Sequence, residues 1–530
     1  MSKRGIVGAL GAVGLISLLT LASRAVGFLR WFAQFAWVGQ GETANAYATA
    51  NQIPNIVFEV AVGGALAGVT VPLLAGPVAA KMRADIDRIA GAILTIVLTV
   101  LIPLGVLVWL LAEVIAGWFP IPQGGDPVAQ GELLAVFLRI FALQIPLYGI
   151  SVVLGGVLQA HEKFFWPAFG PLLSSLVVIG CYAAYGYCGG ASDFAAEVTP
   201  RAVLILGWGT TFGVVALSLP YFVPVHRLGV RLRLGYHLRG KEARRALSLA
   251  GAGVGALLAQ QFAAIAVLVL ARGYGSVSTV SVYQYSQGVY MLPYAVLAFP
   301  IATALFPKLS RLAAEPLNDK FRHAVASSSA IIAEVAMLSA ALLIAVARPV
   351  QGVFELLKAV PEMDATLLAF APGIIGFILI FHLSRIFWAV SRARTAVLAT
   401  ASGWFMVVPL SWLAIHLIAK PGGDGMGTLI GLGIGSSAGM TIAGIGLLIG
   451  LKRAGYGEAV SGVVVAVLKS GVPMLIAAVV SHLLANWVFV QLSGLIAILV
   501  SGVLALLLMM LSAIPTYRRF RKMNREMKEL

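Results

Sequence analysis

Ala90-GAILTIVLTVLIPLGVLVWLL-Ala112 holds no charged residue over 23 positions, and its only polar side chains are Thr95 and Thr99. A helix needs about 20 apolar residues to cross a bilayer core of about 30 Å. The run therefore reads as a membrane span, and Leu492–Ile514 repeats the pattern near the other end of the chain. Composition agrees: 60% of the 530 residues are hydrophobic and 11% are charged, against about 25% charged in soluble domains. The longest polar stretch, His226–Arg245, is too short for a soluble domain.

The same pattern predicts fourteen spans, over 6–37, 43–79, 89–119, 131–160, 165–187, 202–225, 246–272, 279–306, 324–347, 366–390, 395–418, 426–451, 462–485 and 489–516. The expected fold class is an all-α polytopic membrane protein with about 14 transmembrane helices. The apolar run after Met1-Ser-Lys-Arg4 continues past Trp37 with no small-residue cleavage site, so it reads as the first span. Cys181 and Cys188 stand seven residues apart, too far on a helix for a disulfide.

The net charge of +16 has a topological explanation that needs no nucleic acid. Sorted by alternating connections, 28 of the 37 Lys and Arg fall on one side, five on the other and four inside spans. The basic side is cytoplasmic. An even span count then places both ends of the chain in the cytoplasm. The tail Arg518-Arg-Phe-Arg-Lys522 is expected near anionic lipid headgroups, each basic residue contributing about 1 kcal/mol.

A weak internal repeat appears at an offset of 235 residues: Val71-Pro72-Leu73-Leu74 before Lys81 parallels Phe306-Pro307-Lys308-Leu309 before Arg311. Near the same offset, the turn Gln159-Ala-His-Glu-Lys-Phe164 parallels Ala389-Val-Ser-Arg-Ala-Arg394. Two six-helix lobes around a central cavity are expected, as in secondary transporters. The N-terminal lobe is 1–225, a basic linker 226–245, the C-terminal lobe 246–453, an appended helix pair 454–516 and a basic tail 517–530. The 58 glycines suit close helix packing.

Chemistry concentrates in the first two spans. Arg24 and Arg30 lie six residues apart in an apolar helix, about 120° apart around its axis, so both can border one wide cavity. Each charge at the bilayer centre costs at least about 2.5 kcal/mol, a cost that a role in the cavity would justify. Snorkelling to an interface is the structural alternative. Asn51, Asn55 and Glu59 recur every four residues beside Pro54, along one helix face, either as an interhelical hydrogen-bond seam or as cavity lining. Arg24 is the natural partner for Glu59. Gln284 and Gln287 in span 8 suit a cavity for sugars or amides equally with packing. Arg139 and Arg385, near span ends, read as snorkelling side chains, and Glu113 and Glu334 are the other acids within spans. The seven histidines show no metal-ligand spacing and there is no phosphate-binding loop. No metal or cofactor is expected.

Ser23-Arg24-x-x-Gly27-Phe28-x-Arg30, then Ala46-Tyr47, Ile53-Pro54-Asn55, Gly64-Ala65 and Val71-Pro72-Leu73-Leu74, resemble the opening of the lipid II flippase family, MurJ or MviN. Leu206-Gly-Trp-Gly-Thr-Thr-Phe-Gly213 and the stretch from Met291-Leu-Pro293 to Pro307-Lys-Leu-Ser310 are also similar, especially to actinobacterial members. The resemblance implies membership of the multidrug/oligosaccharidyl-lipid/polysaccharide exporter superfamily. It implies movement of undecaprenyl-diphosphate disaccharide-pentapeptide, lipid II, to the outer leaflet of the bacterial cytoplasmic membrane for peptidoglycan synthesis. Arg24 and Arg30 match the family's cavity arginines. The expected partners are lipid II, membrane lipids and proteins of cell-wall synthesis.

The chain departs from the family where many members have acids, at Trp31 and Asn45, and where they have basic residues, at Phe58 and Glu59. A family glutamate falls at Gly63 and a cavity arginine at Gly288, so fewer cations remain here. Some members hold sodium on spans 7 and 11, which lack Asp and Glu in this chain. A charged cavity of this kind allows coupling to membrane potential, and the sequence leaves the energy source open. Three rivals stay open at this point: a flippase for another polyprenyl-diphosphate saccharide, an ion-coupled multidrug exporter, and a non-transporting scaffold.

Overall fold

The computed structural model describes residues 19, 22–60, 67–190, 192–244, 254–313 and 319–529. Helices are the regular structure throughout these residues, with no β-strand among them. That is what a lipid solvent demands, because each helix satisfies its own backbone hydrogen bonds. Twelve helices among the described residues are long and apolar enough to cross a membrane. The chain is a multi-pass membrane protein.

The chain forms two compact units, Met1–Gln261 and Phe262–Leu530. The first contains α1 (22–37), α2 (Glu42–Val60), α3 (Ala67–Ala79), α4 (Arg83–Leu110), α5 (Ala112–Trp118), α6 (Pro127–Ala142), α7 (Gln144–Ala160), α8 (Phe165–Tyr185), α9 (Pro200–Ser218) and α10 (Phe222–Arg227). The division falls inside α11 (Val254–Tyr274). The second unit continues with α12 (Thr279–Pro293), α13 (Phe299–Leu312), α14 (Asp319–Glu355), α15 (Met363–Ala389), α16 (Ala393–Ile418), α17 (Gly425–Arg453), α18 (Gly457–Ala466), α19 (Val472–Gln491) and α20 (Gly494–Glu529). The expected second span is seen as α2 and α3, and 61–66 lie outside the described residues. Of the first span, the portion before 22 lies almost wholly outside them, as does the start of the seventh.

The core of the first unit joins α3, α4, α7 and α10 through Leu74, Ile89, Ile93, Leu154, Leu158 and Val225. The basic segment after α10, read from the sequence as a linker, docks along α4. Arg231 N donates to Asp87 Oδ1 at 2.8 Å, Gly235 N donates to Thr95 Oγ1 at 2.8 Å, and Tyr236 Oη lies 2.6 Å from Thr99 Oγ1. Arg88 adds bonds to the His237 carbonyl and the Glu242 carboxylate. Gly91 permits this approach: a Cβ there would stand 2.0 Å from the Arg233 carbonyl oxygen.

Four helices end in the same way. After α3, α7, α15 and α17, a residue with positive φ closes the helix: Lys81 (54°), Glu162 (59°), Ser391 (58°) and Gly455 (95°). The amide that follows bonds back to the carbonyl five residues earlier, as in Lys163 N to Leu158 O and Arg392 N to Phe387 O, both 2.8 Å. This is the Schellman cap. The two turns paired in the sequence repeat therefore share their backbone geometry.

Two π turns, Tyr294–Ala298 and Val467–Gly471, each end two residues before a proline, Pro300 and Pro473. Proline lacks an N–H and clashes with the carbonyl of residue i−4. A locally wider turn absorbs both defects without breaking the span.

In the second unit, α14, α19 and α20 share a core of Met337, Ala341, Ala345, Met474, Ala478, Ala505 and Met509. The last helix runs unbroken to Glu529, so the basic tail continues it. Arg519 on that extension pairs with the buried Glu334 of α14, which gives this intramembrane acid its counter-charge.

Candidate substrate site

Arg24 is exposed on α1 and Arg30 is half-buried, its guanidinium carbon 5.5 Å from the Trp31 ring centroid. On α2, Asn51 and Asn55 are half-buried and Glu59 is exposed, so the face read from the sequence opens progressively along the helix. Tyr148 Oη donates to Asn55 Oδ1 at 3.3 Å, and its ring lies 4.5 Å from that of Phe58. Tyr148, Asn55 and Phe58 thus form one neighbourhood built from α2 and α7.

The expected Arg24–Glu59 pairing does not form. Among the described residues Glu59 has no ion pair, and it lies on the exposed side of α2. Arg139, read as snorkelling, is bound to Glu113 at 2.6 Å.

A closed polar layer supports this neighbourhood. The buried Tyr47 Oη lies 2.8 Å from Tyr182 Oη and 3.1 Å from Thr210 Oγ1. Tyr182 donates to Gln34 Oε1 at 3.2 Å. Phe137 and Phe141 meet the Tyr47 ring edge-on, both at 5.7 Å. The layer ties the end of α1 to α2, α8 and α9. Nearby, the buried Glu42 carboxylate accepts from Asp126 N at 2.6 Å and from Ala195 N at 2.7 Å, fastening two connecting loops to the start of α2.

Sequence reading missed Tyr148, Tyr182 and Thr210. The available signal was a phenol or hydroxyl inside an apolar span, but its partner lies more than 90 positions away in each case. It also passed over Glu42, whose role depends on loops that no periodicity describes.

In the second unit, Gln284 and Gln287 are half-buried on α12, and Gln287 Nε2 donates to Tyr283 Oη at 2.9 Å. The amides therefore sit at the edge of an aromatic array that includes Tyr283, Phe370 and Tyr290.

Helices of bilayer length and apolar composition define a polytopic membrane protein. Residues 35–515 match the family described as Lipid II flippase MurJ, and the chain belongs to that family. It is 25% identical over 294 residues to a probable lipid II flippase MurJ of Rhizobium meliloti, an alignment that covers 54% of this chain and 52% of that protein. The chain thus spans about half the length of the rhizobial relatives it matches. A lipid II flippase MurJ of Burkholderia cenocepacia is 25% identical over 455 residues, 82% of each chain. Among solved structures, a lipid II flippase MurJ in an inward closed conformation superposes with a TM-score of 0.73 at 17% identity, over 96% of this chain and 99% of that one. A multidrug resistance MATE family transporter in an inward-facing conformation follows at 0.65 and 16%, over 82% and 94%. These two likenesses show the fold.

Proposed function

We propose that the chain moves lipid II from the inner to the outer leaflet of a bacterial cytoplasmic membrane by alternating access. The observation that carries the reading is the family match across 35–515, together with an α1 that bears Arg24 and Arg30 within its apolar run. A diphosphate crossing the membrane needs positive charge in a low-dielectric site, and a guanidinium engages its oxygens two at a time. Arg24 and Arg30 supply that charge. Asn51, Asn55 and Glu59 line the approach in the first unit, and Gln284 and Gln287 offer amides to the sugars in the second. The polyprenyl tail stays in lipid.

Both chain ends lie in the cytoplasm in this reading, on the side rich in Lys and Arg. Net movement of charge through the site couples transport to membrane potential, worth about 2.3 kcal/mol per charge per 100 mV. Proteins of cell-wall synthesis are the partners that a lipid II carrier would serve. The test is headgroup accessibility of lipid II at the outer surface of cells depleted of this protein. Loss of accessible headgroup, restored by the wild-type chain, supports the reading. Unchanged accessibility overturns it and turns attention to other polyprenyl-diphosphate saccharides.

A further inference from the structure

α15 lies against α12 and α13 through a ladder of rings. Tyr283 and Tyr290 stand 5.5 and 5.4 Å from Phe370, Tyr294 stands 5.0 Å from Phe377 and 5.3 Å from Phe381, and Phe299 stands 5.5 Å from Phe381. The ladder ends at Arg385. Its guanidinium carbon is 3.9 Å from the Phe381 centroid and 5.5 Å from that of Phe306, and Nη1 donates to Thr303 Oγ1 at 3.3 Å.

This placement differs from snorkelling. Phe381 is one turn deeper in the span than Arg385, and Thr303 lies nine residues before the Leu312 end of α13. A helical side chain leans toward the N-terminus of its helix, and in α15 that direction leads into the span. The guanidinium is therefore laid back on an aromatic platform and does not reach for the helix end. It carries five N–H donors, and Thr303 accepts from it in the structure. Among the described residues no carboxylate pairs with Arg385, although its side chain is only half-buried. A permanent charge held against a ring, with donors to spare, inside a span is suited to an anion that comes and goes.

We propose that Arg385, within the second unit, is a phosphate-binding residue for the diphosphate of the lipid-linked substrate. The proposal rests on the lipid II reading above and adds a residue to it. A phospholipid phosphate has the same chemistry, so the test must separate the two. Full-length wild-type protein, R385M and R385K are reconstituted in nanodiscs. Binding of undecaprenyl diphosphate and of phosphatidylglycerol is measured by native mass spectrometry, with thermal unfolding as the check on folding. Methionine keeps an apolar stem against Phe381.

The expected result is at least a tenfold loss of undecaprenyl-diphosphate affinity in R385M, a smaller loss in R385K, and unchanged phosphatidylglycerol binding. R385M that binds undecaprenyl diphosphate like the wild type overturns the role of Arg385 and leaves the lipid II reading intact. Equal losses for both lipids assign Arg385 to bulk phospholipid and also overturn it. Wild-type protein that binds no undecaprenyl diphosphate overturns the broader reading, and this proposal with it.

Discussion

Arg88 grips Glu242 through two parallel hydrogen bonds of 2.8 Å each, across 154 positions of chain. The bond from Arg88, with the Arg239 amide and both charges assisting, holds the Glu242 carboxyl below the ordinary carboxylate range. A lowered folded-state pKa gives stability that is full above the unfolded value of about 4.3 and is lost as pH falls through the folded value. The docked segment 230–242 is therefore expected to stay closed at neutral pH and to loosen in acid below about pH 4. At neutral pH, Glu242→Gln should cost up to about 1 kcal/mol, opening the segment up to about fivefold more often. Hydrogen exchange of residues 230–242, corrected for the intrinsic pH dependence, reads both effects. Protection unchanged by the substitution would count against the clasp.

Gly91→Ala tests the same docking from the other side. The added methyl would meet the Arg233 carbonyl at 2.0 Å, and overpacking of this kind costs about 1–3 kcal/mol. Exchange of 231–237 should rise while that of α8 and α9 does not. Gly117→Ala, where nothing lies within 4 Å, is the control and should gain up to about 1 kcal/mol from helix propensity. Equal behaviour of the two variants would show that the close approach is relaxed in solution.

Ser391 holds a left-handed backbone with a side chain that disfavours it. Ser391→Gly should raise stability by about 1 kcal/mol, and Gly455→Ala should lower it by a similar amount. Thermal unfolding in detergent separates them, since the two shifts have opposite signs.

Arg24→Ala and Arg30→Ala should insert and fold but fail to support growth of a flippase-depleted strain. Tyr148→Phe removes one hydrogen bond to Asn55, a cost of about 0.5–1.5 kcal/mol, and should leave transport within about threefold. Normal growth of the Arg24 variant would remove that residue from the site.

Glu42→Gln replaces one of two carboxylate acceptors with a donor, leaving either the Asp126 or the Ala195 amide unpaired. The expected cost is about 1–3 kcal/mol, seen as a lower unfolding temperature with transport retained at the growth temperature. An unshifted unfolding temperature would mean that water replaces the carboxylate.

The spans were legible because bilayer thickness imposes one length on every one of them, and apolar runs such as Ala90–Ala112 report that length directly. The matched turns at Glu162 and Ser391 were legible as sequence and gained their meaning from backbone angles. Side-chain partnerships were not legible. Asn55 was found by its spacing, but Tyr148 comes from a different helix. Arg24 was assigned to Glu59 because opposite charges attract, whereas Glu59 lies on an open face. The segment 226–245 looked like a tether because polar residues predict solvent, and periodicity cannot say that Thr95 and Thr99 would receive it.

The π turn at Tyr294–Ala298 changes the phase of everything beyond it. In an unbroken helix, Gln287 and Thr303, sixteen residues apart, would point about 160° apart at 100° per residue. Bonding from i to i+5 puts one more residue into that turn, which acts like a one-residue deletion and leaves about 60°. The amide of Gln287 and the hydroxyl that holds Arg385 are thereby turned toward the same side of the α12–α13 span. A helical wheel drawn through the whole span would place them on opposite faces.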